Sequence, residues 1–252
     1  VNAIKPILAG HYNTDKSQHP PHLEYYAAAF SSICDKEVRL FELGVYQGGS
    51  LMMWRDYFPY GQIAGVDINP ISIDDPTGRI HFYQGSQEDI ALLERIALEI
   101  APQGFDIIID DCAHLAAPAR TSFWYLFDRH LKPGGIYAIE DWGTGYWDQW
   151  PDGRHYEVEA AQSEPQSASG LPGWKDWLAK RLGIALPAAE RDVRRFPSHD
   201  YGMVGFIKQL VDELAYDDIT CPGWGLEPER ASRFQKMHLS HALALIYKKP
   251  VV

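Results

Sequence analysis

The sequence predicts an α/β fold: a Rossmann-like, doubly wound sheet, mostly parallel, finished by a C-terminal antiparallel hairpin strand. Three observations carry that expectation. Short apolar runs alternate with helix-spaced segments from Val38 to Glu140. Several of these runs end in glycine or in acids, at the sheet edge where open α/β sheets bind ligands. Near the C-terminus, Arg233 to Leu239 and Ala242 to Lys248 are strand-like and joined by Ser240-His241, which reads as a tight hairpin.

In chain order, a helix is expected from about His22 to Ile33, then a strand from Val38 to Leu43, ending at Gly44. Gly49 to Phe58 reads as a helix, with Leu51, Met52 and Trp54 as apolar positions. Ile63 to Val66 is a buried-type strand closed by Asp67, and Arg79 to Tyr83 is a third. In Gln87 to Ile100, residues Ile90, Leu92, Leu93, Ile96, Ala97 and Ile100 recur at helical spacing. Phe105 to Ile109 is the fourth strand and Ala117 to Leu131 a helix, which Lys132-Pro133-Gly134-Gly135 should stop. Ile136 to Ile139 is the fifth strand, and Met203 to Leu214 reads as a helix. Strands that are apolar on both faces call for a parallel sheet covered by helices on both sides. The chain is read as a single domain over residues 1–252, with an N-terminal flap and helix over 1–35. Residues 142–200 form an inserted segment rich in Trp, Gly, Pro, Ser and Gln. Trp142, Tyr146, Trp147, Trp150, Tyr156, Trp174 and Trp177 favour a lid or substrate-binding insertion there over a plain loop, because so many rings are seldom left in water.

Composition narrows the function. With 23 basic and 34 acidic residues the formal charge is −11, which argues against nucleic acid and against an anionic membrane surface as partners. A hydrophobic fraction of 46% with 23% charged residues excludes disorder as the dominant state. Cys34, Cys112 and Cys221 form neither a disulfide framework nor a CxxC pair, so a reducing, cytoplasmic setting is expected. No apolar run is long enough to span a membrane, and Val1 to Gly10 is too weakly patterned for a secretory signal.

Three motifs carry chemistry. Phe41-Glu42-Leu43-Gly44-Val45-Tyr46-Gln47-Gly48-Gly49-Ser50 follows a strand and opens a helix, where glycines let a ligand approach backbone N–H groups. Tyr46 replaces the middle glycine of GxGxxG and would crowd a pyrophosphate. Asp67, ending the next strand, is placed to accept ribose hydroxyls, as it would for NAD or S-adenosylmethionine. Glu42 favours the second: a carboxylate beside the glycine turn repels a pyrophosphate and tolerates a cationic amino-acid cofactor. Ser86, in Gln84-Gly85-Ser86-Gln87, falls where an adenine ring would lie and can also cap the following helix.

The second motif is Asp110-Asp111-Cys112-Ala113-His114 and the third is Glu140-Asp141-Trp142, each ending a strand. Neighbouring strand ends are ~4.8 Å apart, so Asp111, Glu140 and Asp141 can converge. Three crowded carboxylates call for a hard cation, most simply Mg²⁺, in preference to the alternative of helix capping with salt bridges to Arg120 or Lys132. His114 follows closely enough to serve as a general base at the same cleft. His11-Tyr12-Asn13-Thr14-Asp15-Lys16 is polar without a core pattern and is either a helix cap or a flap over the cofactor.

With these residues in view the chain resembles the class I S-adenosylmethionine-dependent methyltransferases. The closer likeness is to the metal-dependent sugar O-methyltransferases of macrolide tailoring, the mycinamicin and macrocin type. Cephalosporin-hydroxylase-like proteins share much of the pattern. The likeness rests on Tyr12-Asn13-Thr14-Asp15-Lys16, Glu42-Leu43-Gly44-Val45 with Gly48-Gly49-Ser50-Leu51 and Trp54, Gly65-Val66-Asp67, Ile109 to His114, and Ile139-Glu140-Asp141. It implies Mg²⁺ on Asp111, Glu140 and Asp141, His114 as catalytic base, and S-adenosylmethionine held by Thr14, Glu42, Gly44, Asp67, Ser86 and Asp111. Cys112-Ala113 stands where the family usually has Gly-Ser. The implied activity is O-methylation of a sugar hydroxyl on a glycosylated natural product, in antibiotic biosynthesis, by a homo-oligomer. A catechol-like phenol acceptor, a nicotinamide-dependent oxidoreductase and a non-catalytic cofactor-binding protein are the alternatives.

Overall fold

Leu40, Phe41 and Leu43 are all fully buried, and the strand they form, β1 (Arg39–Leu43), runs through the middle of the sheet. A computed structural model describes residues 12–18, 20–154, 156 and 199–251. β1 pairs in parallel with β2 (Gln62–Asp67) on one side and with β4 (Phe105–Asp110) on the other. β3 (Ile80–Gln84) extends the β2 side, and β5 (Leu131–Glu140) extends the β4 side, both in parallel. β7 (Leu243–Lys248) runs antiparallel to β5 and to β6 (Phe234–Ser240). The order is β3-β2-β1-β4-β5-β7-β6. The chain leaves β1 toward β3 and returns at β4, so the sheet's switch point lies between the ends of β1 and β4.

Side chains alternate across each strand and sort into two layers. Phe41, Leu43, Ile108, Tyr137 and Ile139 pack with α3 (Ile90–Ile100), α4 (Ala116–Arg129) and α5 (Gly202–Leu214), through residues such as Leu93, Ile96, Phe123, Phe127 and Phe206. Leu40, Ile63, Ile107, Ile109 and Ala138 face the other layer, built by α1 (Pro20–Phe30) and α2 (Gly49–Tyr57) through Tyr26, Phe30 and Trp54. Each fully buried large side chain of this kind contributes ~1.5–3 kcal/mol relative to exposure. The same parity governs the polar strand residues. Glu42 shares a face with Leu40, and Glu140 shares one with Ala138, so both enter the α1/α2 layer. Asp110 shares a face with Ile108 and enters the α3/α4 layer.

The expected elements are present, with three local corrections. The helix expected from Gln87 begins at Ile90, because Asp89 is its N-cap and accepts from the Leu92 amide at 3.1 Å. Ser86 therefore does not cap it; its hydroxyl accepts from the Glu88 amide at 3.2 Å in the preceding turn. Lys132 to Gly135 does not separate helix from strand. β5 starts at Leu131, and a register irregularity between Phe105 and Ile107, with Gly134 at φ 76, absorbs the stretch. In the hairpin, β6 continues to Ser240 and the turn is His241-Ala242, one residue later than expected, with Ala242 at φ 59. Residues 157–198, the larger part of the expected lid, and residues 1–11 lie outside the described residues. Among the described residues no helix is long and apolar enough to cross a membrane.

Candidate active site

At the switch point a cleft of about 630 Å³ opens, with Thr14, Gly44, Asp67, Ser86, Asp111 and His114 in its wall. Gly44 sits at φ +81, and a Cβ there would lie 2.1 Å from the Asp111 carbonyl oxygen, so the ends of β1 and β4 can close only around a glycine. Asp67 organises the loop that follows. Its Oδ2 accepts from the Val45 and Tyr46 amides at 3.1 and 3.0 Å, and its Oδ1 from the Asn69 amide at 2.9 Å.

Glu42 is not in the cleft wall. It is fully buried beneath it, accepting from the Ser50 hydroxyl at 2.7 Å, and Ser50 lines the cleft in its place. The cause is the strand parity that turns Glu42 toward α2. Below the cleft, Lys16 is 2% exposed and its ammonium meets three carboxylates: it donates to Asp111, lies 3.0 Å from Glu140 Oε1 and 3.4 Å from Glu42 Oε1. The Tyr26 hydroxyl also donates to Glu140 Oε1, at 2.7 Å. Burial works against the Lys16 charge, yet the three acids hold its pKa well above the ordinary value. One ammonium is shared among three acids. Burial, reinforced by Glu140, pushes Asp111 up, and burial raises Glu42 against the pull of Lys16.

The other oxygen of Asp111 faces a second group. His114 Nε2 lies 3.8 Å from Asp111 Oδ1 and 3.8 Å from Asp141 Oδ2, and one donor atom from each of the three residues falls within 4.8 Å of the others. Asp111, His114 and Asp141 are thus the residues brought together. Glu140 stands beside them, committed through Oε1 to Tyr26 and Lys16. Both His114 and Asp141 adopt φ 50, and the loop is braced at its backbone. The His114 carbonyl accepts from Trp150 Nε1 at 3.0 Å and from the Thr144 hydroxyl at 3.2 Å. Burial lowers the His114 pKa, partly opposed by Asp141 and Glu140, so a neutral imidazole is the form present at pH 7.

Asp110 faces the opposite layer, where Gln87 Nε2 donates to both its oxygens at 3.2 Å and the Ser122 hydroxyl donates to Oδ2. Gln87 Oε1 in turn accepts from the Ala113 amide, tying the Asp111–His114 loop to the sheet. Burial pushes the Asp110 carboxyl up to about 7, against the hydrogen bonds from Ser122, Gln87 and Cys112. Its folded pKa is above its unfolded one. Its contribution to stability is therefore fully present below pH 4 and lost as the pH rises through 7, where ionisation costs up to ~4 kcal/mol. Asp110→Asn should match the wild type only below pH 4, exceed it increasingly from there to pH 8, and flatten that slope in urea unfolding. An unchanged slope would remove Asp110 as its source.

Lys16, Tyr26, Gln87 and Trp150 escaped the reading of the sequence as site residues. Lys16 was in view only as the end of a polar hexapeptide, and a lysine in such a segment is ordinarily solvated. The one available signal was the excess of acids at the strand ends, which asks for an internal cation.

With β7 alone set against its neighbours among the described strands, the strand order gives this chain the class I methyltransferase fold. Its relatives are sugar O-methyltransferases. It is 42% identical over 153 residues to "Mycinamicin VI 2''-O-methyltransferase" of Micromonospora griseorubida, covering 58% of this chain and 35% of the relative. It is 42% identical over 232 residues to "Demethylmacrocin O-methyltransferase" of Streptomyces fradiae, covering 89% of this chain and 47% of the relative. Among solved structures, a methyltransferase of the mycinamycin biosynthetic pathway in complex with Mg and SAH matches at TM-score 0.62 and 30% identity, over 91% of this chain and 50% of that one. The chain thus spans half or less of the length of these relatives. No protein-family model matches the sequence.

Proposed function

We propose that this chain performs S-adenosylmethionine- and Mg²⁺-dependent O-methyl transfer to a sugar hydroxyl of a glycosylated natural product. The observation that carries the reading is the Asp111–His114–Asp141 group at the lip of the glycine-loop cleft. Two carboxylates within 4.8 Å of each other fit a small, hard divalent ion, and the His114 imidazole stands beside them as a base. The cleft of about 630 Å³, walled by Thr14, Gly44, Asp67 and Ser86, fits an extended cofactor. When bound, S-adenosylmethionine supplies an electrophilic methyl group and Mg²⁺ acidifies an acceptor hydroxyl.

The chain's residues do the rest. Gly44, Asp67, Thr14 and Ser86 line the cofactor's place, and Glu42 acts on it through Ser50. Asp111 and Asp141 hold the cation, with Glu140 as the adjoining carboxylate. His114 removes the proton from the acceptor oxygen, and its fixed position orients the attack. The acceptor side is supported by a second pocket, of about 510 Å³, walled by Asp141, Trp142, Tyr146, Trp147 and Leu239. Aromatic walls of this kind suit a sugar ring and its apolar carrier. The aromatic-rich 142–200 segment is proposed to complete it as a lid. The three cysteines are free, consistent with a cytoplasmic enzyme, and a homo-oligomer without nucleic-acid or membrane partners completes the proposal.

The test is transfer of labelled methyl from S-adenosylmethionine to mycinamicin VI, demethylmacrocin and other glycosides, with and without EDTA. Transfer abolished by EDTA and restored by Mg²⁺ is expected. Turnover indifferent to chelation would overturn the metal assignment, and absence of S-adenosylmethionine binding would overturn the whole reading.

A further inference from the structure

The segment from Tyr12 to Lys16 borders the cofactor cleft. Asn13, Thr14 and Asp15 form part of the cleft wall. The segment lies directly on the start of α2: a Cβ on Gly49 would sit 2.0 Å from the Asn13 carbonyl oxygen. Its attachments differ in kind. The Tyr12 hydroxyl donates to Asp56 at 2.8 Å, half-buried, and the Asn13 side chain donates to Gln47 at the exposed rim. The Asn13–Gln47 bond competes with water at the surface, and the Tyr12–Asp56 bond is only partly shielded from it. The segment ends differently, with Lys16 turning down through the cleft floor into the nest of Asp111, Glu140 and Glu42. Breaking a buried charge pair from one side is far costlier than losing a rim contact. Lys16 itself is not in the cleft wall.

We propose that Lys16 is a positioning residue: it pins the Tyr12–Lys16 strap over the cofactor cleft by anchoring in the carboxylate nest beneath, and so slows cofactor release without touching the cofactor. The ammonium thereby links two halves of the site. One oxygen of Asp111 holds the strap through Lys16, and the other faces His114 and Asp141. The strap is closed by a charge located under the sheet edge, not by the polar residues that line the cleft.

The inference rests on the cleft being the S-adenosylmethionine site, and its test separates the two. Lys16→Met keeps the length of the side chain and removes the charge. Hydrogen–deuterium exchange of the ligand-free protein should show protection over residues 12–18 falling at least 10-fold, while β1, β4 and β5 keep theirs. In EDTA, the S-adenosylmethionine dissociation rate should rise at least 10-fold and its association rate should change less. Tyr12→Phe should move both readouts far less. Should Lys16→Met loosen the whole sheet, the charge-compensated Lys16→Met/Glu42→Gln protein should retain the sheet and still free the strap. Wild-type protection and wild-type cofactor release in a folded Lys16 variant would overturn the proposal. A wild-type protein that binds no S-adenosylmethionine would instead overturn the function reading and leave the exchange result standing.

Discussion

Replacing His114 with alanine is expected to lower methyl transfer by ~10²–10⁴-fold, the usual contribution of a positioned general base. S-adenosylmethionine affinity should hold, because the loop's backbone is fixed by the Trp150 and Thr144 bonds to the His114 carbonyl, which alanine keeps. The pH profile makes the assignment sharper. A base must be deprotonated to act, and burial depresses the His114 pKa below 6.5. The acid limb of wild-type activity should therefore fall below pH 6.5, with a plateau at neutral pH, and that limb should vanish from the residual activity of His114→Ala. The imidazole also lies equally far from Asp111 and Asp141, which is where a third metal ligand would sit. Titration with Mg²⁺ alone separates the roles. A base leaves the metal affinity nearly unchanged, whereas a large loss of affinity, with activity recovered at high Mg²⁺, would reassign His114 as a ligand.

The reach and the limit of the sequence have one physical origin. Strand ends were legible because apolar runs and the acids or glycines closing them are local. The cleft at Gly44, Asp67 and Asp111 follows from those ends alone. What lay beneath the cleft was not legible, since it depends on which face of a strand a polar residue takes. Glu42, Asp110 and Glu140 all sit at strand C-termini, yet parity sends Glu42 and Glu140 toward α1 and α2 and Asp110 toward α4. The expectation that Asp111, Glu140 and Asp141 share one cation rests on strand ends alone; the structure sets Asp111 and Asp141 around His114 and joins Asp111 to Glu140 through Lys16. Lys16 was invisible for a related reason: its partner Asp111 is 95 positions away, and no local pattern announces a pairing at that separation. The Ser86 cap failed on a smaller scale, because Asp89, three residues later, competes for the same helix start.

Asp141→Asn is the second large effect, and it is a clean one. Asp141 occupies a left-handed backbone conformation, at φ 50, which asparagine tolerates about as well as aspartate. Its amide donates to the Ala242 carbonyl at 2.7 Å and its carbonyl accepts from the Thr144 amide at 3.0 Å, so the main chain stays anchored. Its carboxylate is 38% exposed and lies in the wall of the second pocket. The substitution therefore removes one of the two carboxylates facing His114 and little else. Mg²⁺ affinity should fall on the order of 10²-fold, as expected when a hard-ion site loses a charged ligand. Activity at fixed Mg²⁺ should fall with it and recover partly at millimolar metal. S-adenosylmethionine binding measured in EDTA should not move. Asp110→Asn is the internal control: it neutralises a carboxyl adjacent to Asp111 in sequence, but one that points into the α4 layer, so it should shift the stability profile and leave the Mg²⁺ titration alone. Equal effects of the two substitutions on metal affinity would mean that strand parity does not divide the acids as the structure has it, and wild-type metal dependence in Asp141→Asn would take Asp141 out of the site.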